Sequence, residues 1–482
     1  MLHWRKFDYH TLEELQRDID IMGLNLPVSE DLAVLGKQLR LYGKTIKNRL
    51  AIQPMEGFDG FFDGTPSDLT FRRYRRFSGG GAGLIWFESI AVASNSKTCH
   101  RQLQITEENL SVFQRLLYEI EESAQGGQRP YMIAQLTFCG RGAHLDDMGP
   151  QIHPVPAFIA AESPYLPRKN TAIITDEEID GVIDAYVKSA ALAKAAGFDA
   201  VDVRACHGYF LSEILSAFTR PGKYGGSFEN RTRMMLEIID RIQSEVGIPV
   251  ATRLNACDFV PYPYGWGMKT DGSMEPDLTE PFRLAELLLA RGVKLMNISV
   301  GRNHVGHIQS PADRPDFYPQ EHQLTSIALF QDFAARFKKK FPEAVFMTGN
   351  FAWTRQFSAQ IAAGGIQSES YDIAGFARLA LAYPDFAKDI LQEGRLIPEK
   401  CCTTCGMCGE LCASTSVVAY PVGCVARNPK QLNPYYKAWK SRKGIAASGI
   451  SPEKTYPLKL FHLSSVPPEE EEIQKNCREE GA

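Results

Sequence analysis

No excess of positive charge marks this 482-residue chain: 53 Lys and Arg stand against 57 Asp and Glu, a formal net charge of −4. A nucleic-acid partner would require a basic footprint, so that class is set aside. No apolar run approaches the roughly 20 residues that a membrane-spanning helix needs. The opening MLHWRKFDYHTLEELQRDIDIMGLNL also lacks the basic-then-apolar order of a secretory leader. A cytoplasmic location is therefore expected, which agrees with thiols kept reduced. No Gly-x-Gly-x-x-Gly fingerprint follows the first β-rich run, which counts against a doubly wound dinucleotide fold. What remains is ordinary globular composition, 44% hydrophobic and 23% charged, with length for one large domain with appendages or two medium ones.

Cysteine is scattered except in one place. Six of the eleven fall within CCTTCGMCGELCASTSVVAYPVGC, residues 401–424. Cys405, Cys408, Cys412 and Cys424 are spaced C-x2-C-x3-C-x11-C and followed by Val-Ala-Arg-Asn-Pro. Three thiolates on one short turn plus a fourth from a distant loop can enclose a compact cluster, so a 4Fe–4S centre is the first reading. A second register, Cys402, Cys405, Cys408 and Cys424, stays open beside it. Structural zinc more often takes two C-x2-C pairs, and the uneven third spacing fits that pattern poorly. Cys99, Cys139, Cys206, Cys257 and Cys477 read as core or incidental thiols.

From about 46 to 380, short β-rich runs alternate with longer helical patterns. The runs are 48–55, 82–92, 130–136, 198–206, 248–255, 294–301, 344–350 and 371–378. Between them lie stretches such as 177–197 and 230–247, with apolar residues at three- and four-residue intervals. Eight strands with crossover helices predict a (β/α)8 barrel, whose chemistry belongs at the C-terminal ends of the strands. Those ends carry Gln53 to Gly57, Gln135 and Arg141, Arg204 to Tyr209, Arg253, Arg302 with His304 and His307, Thr348 to Asn350, and Gly375 to Arg378. The last two lie where barrels commonly bind phosphate through backbone amides, so an anionic cofactor tail is expected there. Arg253 stands in an otherwise apolar strand and requires an anionic or strongly polar partner, either a ligand or a structural carboxylate.

The stretch His207 to Ser216, followed by Thr219 to Arg233 (TRPGKYGGSFENRTR), resembles the signature loop after strand four in the Old Yellow Enzyme family. The resemblance covers about residues 46–430. With the cysteine run it is most similar to the iron–sulfur branch that includes bacterial 2,4-dienoyl-CoA reductase and trimethylamine dehydrogenase. It implies FMN as cofactor, with a 4Fe–4S cluster passing single electrons to it. By this resemblance Pro54, Met55 and Glu56 lie against the flavin ring, Gln135 contacts its pyrimidine side and Arg253 sits near N1 and O2. Gly349, Asn350, Ala377 and Arg378 fall on the phosphate site, and Tyr209 is the proton donor. Three departures stand out. Arg204 and His207 occupy the positions of the usual carbonyl-binding His pair, Glu56 replaces a small residue, and Phe138 replaces a histidine. Arg204 either recognises the substrate, polarising its carbonyl or reading a carboxylate, or pairs with Glu56. His304 and His307 compete for the role of a histidine beside the tyrosine, with His307 preferred.

The resemblance implies an ene-reductase that reduces the C=C bond of a small-molecule enone or enoate in an anaerobic cytosol. A steroid, bile-acid, flavonoid or aryl-acrylate skeleton would suit it. The alternative is amine dehydrogenation of the trimethylamine dehydrogenase type, with Tyr74 and Trp86 as a conceivable aromatic cage. Fewer than sixty residues follow Cys424, without a dinucleotide fingerprint. Electrons are accordingly expected from an external donor such as ferredoxin, flavodoxin or a reductase subunit. The expected organisation is a helical cap over 1–45, the FMN barrel over 46–395, a cluster segment over 396–430 and an extension over 431–482 with an acidic end; homo-oligomerisation is compatible with all of this.

Overall fold

The computed structural model describes residues 5–143, 145, 152–158, 170–273, 275–302, 322–413 and 419–447. Eight strands close into a barrel: β1 (Leu50–Ile52), β2 (Leu84–Ala91), β3 (Tyr131–Thr137), β4 (Ala200–Val203), β5 (Val250–Asn255), β6 (Leu295–Ser299), β7 (Val345–Thr348) and β8 (Ile373–Phe376). Each pairs in parallel with its sequence neighbours, and β8 pairs with β1 to close the ring. Seven fall within the β-rich runs read from the sequence, and β3 extends one residue past its run, to Thr137.

The period of two explains the layers. Leu84 and Trp86 point into the barrel with Ala51, Ile133, Ala251 and Met347, whereas Ile85 and Phe87 pack outward against the helices. Strands buried on both faces thus read as continuous apolar runs. The crossover helices start and stop on local signals. The helix Asp176–Ala196 opens on Thr175, whose hydroxyl accepts from the Glu178 amide in a capping box, and it ends at Gly197 with φ 107°. The segment expected as a helical cap contains one helix, Leu12–Ile21, and an antiparallel hairpin pairing Leu39–Leu41 with Lys44–Ile46. Leu41 and Ile46 of that hairpin join the apolar interior of the barrel.

Beyond the barrel, two further helices, Met407–Ala413 and Pro429–Ala447, hold the cysteine segment. Leu411, Val422, Val425, Leu432, Tyr435 and Trp439 form a separate apolar cluster with Phe58 and Cys99 of the barrel loops. The joint is also polar. The Val422 amide donates to the Gly57 carbonyl at 2.6 Å, and the Gly57 amide donates to Glu88 Oε2 at 2.8 Å. Glu88 accepts further from Tyr74 at 3.1 Å and pairs with Arg73, which also grips Asp59 at 2.6 Å. A Cβ on Gly57 would run into the Arg73 guanidinium, so glycine is required there.

Arg73 is 10% exposed and its partners Asp59 and Glu88 only 3% and 1%. Removing it strands two buried carboxylates, so Arg73→Ala is expected to lower stability by about 3–5 kcal/mol in urea unfolding. Arg75, 49% exposed and 3.6 Å from Glu119, is the control. Its loss should change stability by less than about 1 kcal/mol.

Candidate active site

The strand ends gather the chemistry at one mouth of the barrel. At the end of β4 the backbone turns sharply, with His207 at φ 64° and Gly208 at φ 77°. A histidine held in the left-handed region is uncommon, and the bend is secured by a bridge to Arg302 beyond β6. Arg302 is fixed in turn by Asp258 at 2.8 Å and Ser216 Oγ at 2.7 Å. His207 Nε2 lies 2.6 Å from Ser299 Oγ at the end of β6. Burial, followed by the Arg253 and Arg204 cations, pushes the imidazole well below its ordinary pKa, so it stays neutral at physiological pH.

Arg204 answers the question its sequence position raised. Its Nη1 donates to Glu56 Oε1 at 3.1 Å, and its guanidinium lies 3.6 Å above the centre of the Tyr209 ring. Arg204 is 6% exposed and Tyr209 7%. Burial, and after it the Glu56 carboxylate, push the Tyr209 phenol well above its ordinary pKa, while Arg204 acts in the opposite direction. The cation is therefore paired and stacked, so the structural branch of the two readings describes this site.

Beneath these residues, Asp202 of β4 accepts from Gln135 Nε2 at 2.7 Å and Trp86 Nε1 at 2.8 Å, and from the Arg253 amide at 2.8 Å. Of the Arg253 side chain, Nε is buried without a hydrogen bond among the described residues. A half-buried guanidinium with an unsatisfied Nε is what the flavin pyrimidine edge would satisfy, so this part of the site fits the group. Gly349 and Gly375 are fixed by packing inside the barrel. A Cβ on Gly349 would come within 2.9 Å of Gln53 Nε2, and one on Gly375 would strike Met347 and Gln53. Asn350 is held at φ 74°, and Ala377 with Arg378 opens the short helix Arg378–Ala382.

Arg378 also lines a small pocket whose wall includes Cys402, Cys405, Cys408 and Cys424. Cys412 lies one helical turn beyond Cys408 and does not line it. Its electrostatic neighbours are Glu56 and Cys408. Cys402, Cys405, Cys408 and Cys424 thus share one pocket, and Cys412 stands beside them next to Cys408. Among the described residues no three His, Cys, Asp or Glu side chains lie close enough for a single metal ion. A polynuclear cluster holds its thiolates farther apart around a common centre, and four thiols on one cavity wall beside a cation suit that geometry.

Other sequence readings fare unevenly. Tyr74 stacks on Phe87 at 4.0 Å and Trp86 is tied to Asp202, so both are core residues and neither forms an amine cage. His304 and His307 lie outside the described residues. Ser299 and Asp202 were not singled out from sequence. A serine ending a strand carries no signal, but a carboxylate within the apolar run FDAVDVRAC was a visible one.

A closed parallel barrel with a half-buried strand arginine and glycines at its strand ends is compatible with a flavin-type oxidoreductase. The chain belongs to the NADH:flavin oxidoreductase / NADH oxidase family, whose model matches residues 37–396. Membership makes FMN its cofactor. An NADPH dehydrogenase of Halalkalibacterium halodurans is 31% identical over 263 residues, covering 54% of this chain and 70% of that one. An NADH oxidase of Thermoanaerobacter brockii is 30% identical over 54% of this chain but only 38% of its own length. Among solved structures, a 2-naphthoyl-CoA reductase complexed with 2-naphthoyl-CoA matches with TM-score 0.67 and 23% identity, over 85% of this chain and 58% of that one. A morphinone reductase complexed with tetrahydroNAD matches with TM-score 0.57 and 21% identity, over 76% and 93%. These structures speak for the fold. Among the described residues no helix is long and apolar enough to cross a membrane.

Burial lifts Asp202 from 3.8 to about 6, against the hydrogen bonds it accepts. A raised carboxyl favours the fold while protonated, so its contribution is present below pH 4 and is lost as pH rises to 6. Relative to wild type, Asp202→Asn should therefore gain on the order of 2–3 kcal/mol between pH 4.5 and 7. Parallel stability curves for the two proteins would refute this.

Proposed function

We propose that the protein is an FMN- and 4Fe–4S-dependent ene-reductase that saturates the C=C bond of an α,β-unsaturated carbonyl compound. The observation that carries this reading is the buried phenol of Tyr209, stacked under the Arg204 guanidinium at 3.6 Å and two residues from His207. Alkene reduction requires an acid on one face and a donor for the carbonyl oxygen, and these side chains supply both.

When bound, FMN supplies the hydride taken up by the β-carbon. Pro54, Met55, Glu56, Gln135 and Arg253 would hold its ring, and Gly349, Asn350, Ala377 and Arg378 its phosphate. His207 accepts from Ser299 Oγ through Nε2 in the tautomer that leaves Nδ1–H for the substrate oxygen. Tyr209 gives its proton to the α-carbon. The cation on the ring face offsets the phenolate charge left behind, which regains a proton from solvent. Because Glu56 already balances Arg204, a substrate carboxylate is not required for binding. An enone serves as well as an enoate.

The cluster, on this reading, is held by Cys402, Cys405, Cys408 and Cys424. The shared cavity supports that ligand set over the one containing Cys412. When bound, a cluster there would supply single electrons drawn from an external donor.

Tyr209→Phe tests the mechanism. Under anaerobic conditions with an enone panel, kcat for alkene reduction should fall by about 10²–10⁴, while the rate of FMN reduction by dithionite is unchanged. Undiminished alkene reduction would remove Tyr209 from the proton-donor role. Oxidation of methylamines in place of enone reduction would favour the dehydrogenase alternative.

A further inference from the structure

We propose that the surface over Cys424 is the docking face for a small acidic one-electron carrier of the ferredoxin type. This inference rests on the ene-reductase reading, because it assumes that the cysteine segment holds a redox cluster. It goes further by assigning where electrons enter and what chemistry recognises their carrier.

Two observations meet there. The first is access. Cys424 lines the cysteine pocket and also a second, more open cleft. The outer cleft runs between the helix Asp68–Gly79 and the start of the helix Pro429–Ala447, with Arg72, Arg76, Asn428 and Gln431 on its walls. Cys424 is thus shared by the two spaces. An electron crossing from a carrier seated on the cleft has the shortest covalent entry to the cluster through that thiolate.

The second is charge. From 396 to 447 the sequence has seven Lys or Arg and two acids, Glu399 and Glu410, in a chain whose net charge is −4. Glu410 is already taken by Lys440 at 2.6 Å. Arg427, Lys430 and Lys437 are exposed, and Lys430 and Lys437 recur at seven residues along one helix face. Arg76 on the opposite wall forms no ion pair among the described residues, and Arg73 in the same cleft is saturated by Asp59 and Glu88. A basic face on an otherwise acidic protein selects an acidic partner and steers its approach, which is the behaviour required of a transient electron-transfer encounter. Such encounters bury little area and depend on complementary charge rather than an apolar patch.

The test uses anaerobic holoenzyme with its iron and flavin quantified beforehand, and an acidic ferredoxin as the probe. Wild type should bind the ferredoxin in calorimetry with an affinity that falls steeply with ionic strength. The triple variant Arg76→Glu, Lys430→Glu, Lys437→Glu should weaken binding at least tenfold and flatten the salt dependence. Its iron content and its enone reduction with dithionite should remain those of wild type. The same reversals on a remote face, Arg283→Glu with Arg241→Glu, should leave ferredoxin binding unchanged. Equal weakening by both sets, or no weakening by the first, would overturn the docking assignment while leaving the ene-reductase reading intact. Holoenzyme without iron would overturn the electron-entry reading at its root, a separate outcome read before any ferredoxin is added.

Discussion

The backbone of Gly57 is the joint on which this structure turns. Its amide is held by Glu88 at 2.8 Å and its carbonyl by the Val422 amide at 2.6 Å. One residue therefore ties the loop after β1 to a buried charge cluster on one side and to the cysteine segment on the other. The loop carries Pro54, Met55 and Glu56, the residues that resemble a flavin floor. Arg73 enforces the arrangement by occupying the space a side chain at 57 would need. The cysteine segment is thus fastened to the barrel at the edge of the cofactor site rather than appended to a distant helix.

Charge balance governs the active-site mouth in the same way. Two guanidinium groups, Arg204 and Arg253, lie close enough to depress the His207 imidazole. Glu56 neutralises the first and fixes it on the Tyr209 ring. The second is disfavoured by burial and by its neighbour Arg204 and favoured by Cys206, Asp202 and Tyr209, and its buried Nε lacks a hydrogen bond among the described residues. A flavin whose reduced ring carries negative charge completes the balance. The replacement of the usual histidine by Arg204 and the appearance of Glu56 are then one change rather than two, since neither charge is tolerable alone at such burial.

Much of this was legible in the chain itself. Eight β-rich runs separated by helical periodicity led directly to the barrel, because strands buried on both faces leave continuous apolar stretches. The strand ends were equally readable: a cluster such as Arg204 to Tyr209 has no packing purpose at the end of an apolar strand. Contacts between side chains distant in sequence were not readable. The pairing of Arg204 with Glu56 spans 148 residues and was one of two open alternatives. The grouping of cysteines was hidden for a related reason. Cys408 and Cys412 lie one turn apart on a helix, so spacing alone admits either set.

The central claim is that the cysteine segment is a cluster site wired to the flavin, and cofactor content with an electron paramagnetic resonance spectrum tests it most directly. Anaerobically purified protein should contain four iron and one FMN per chain, and dithionite should elicit the signal of a reduced 4Fe–4S centre. Cys402→Ser should lose the iron and keep the FMN, while Cys412→Ser keeps both. Protein that holds FMN but no iron in any preparation, or that loses its cluster with Cys412→Ser and not with Cys402→Ser, would contradict the account.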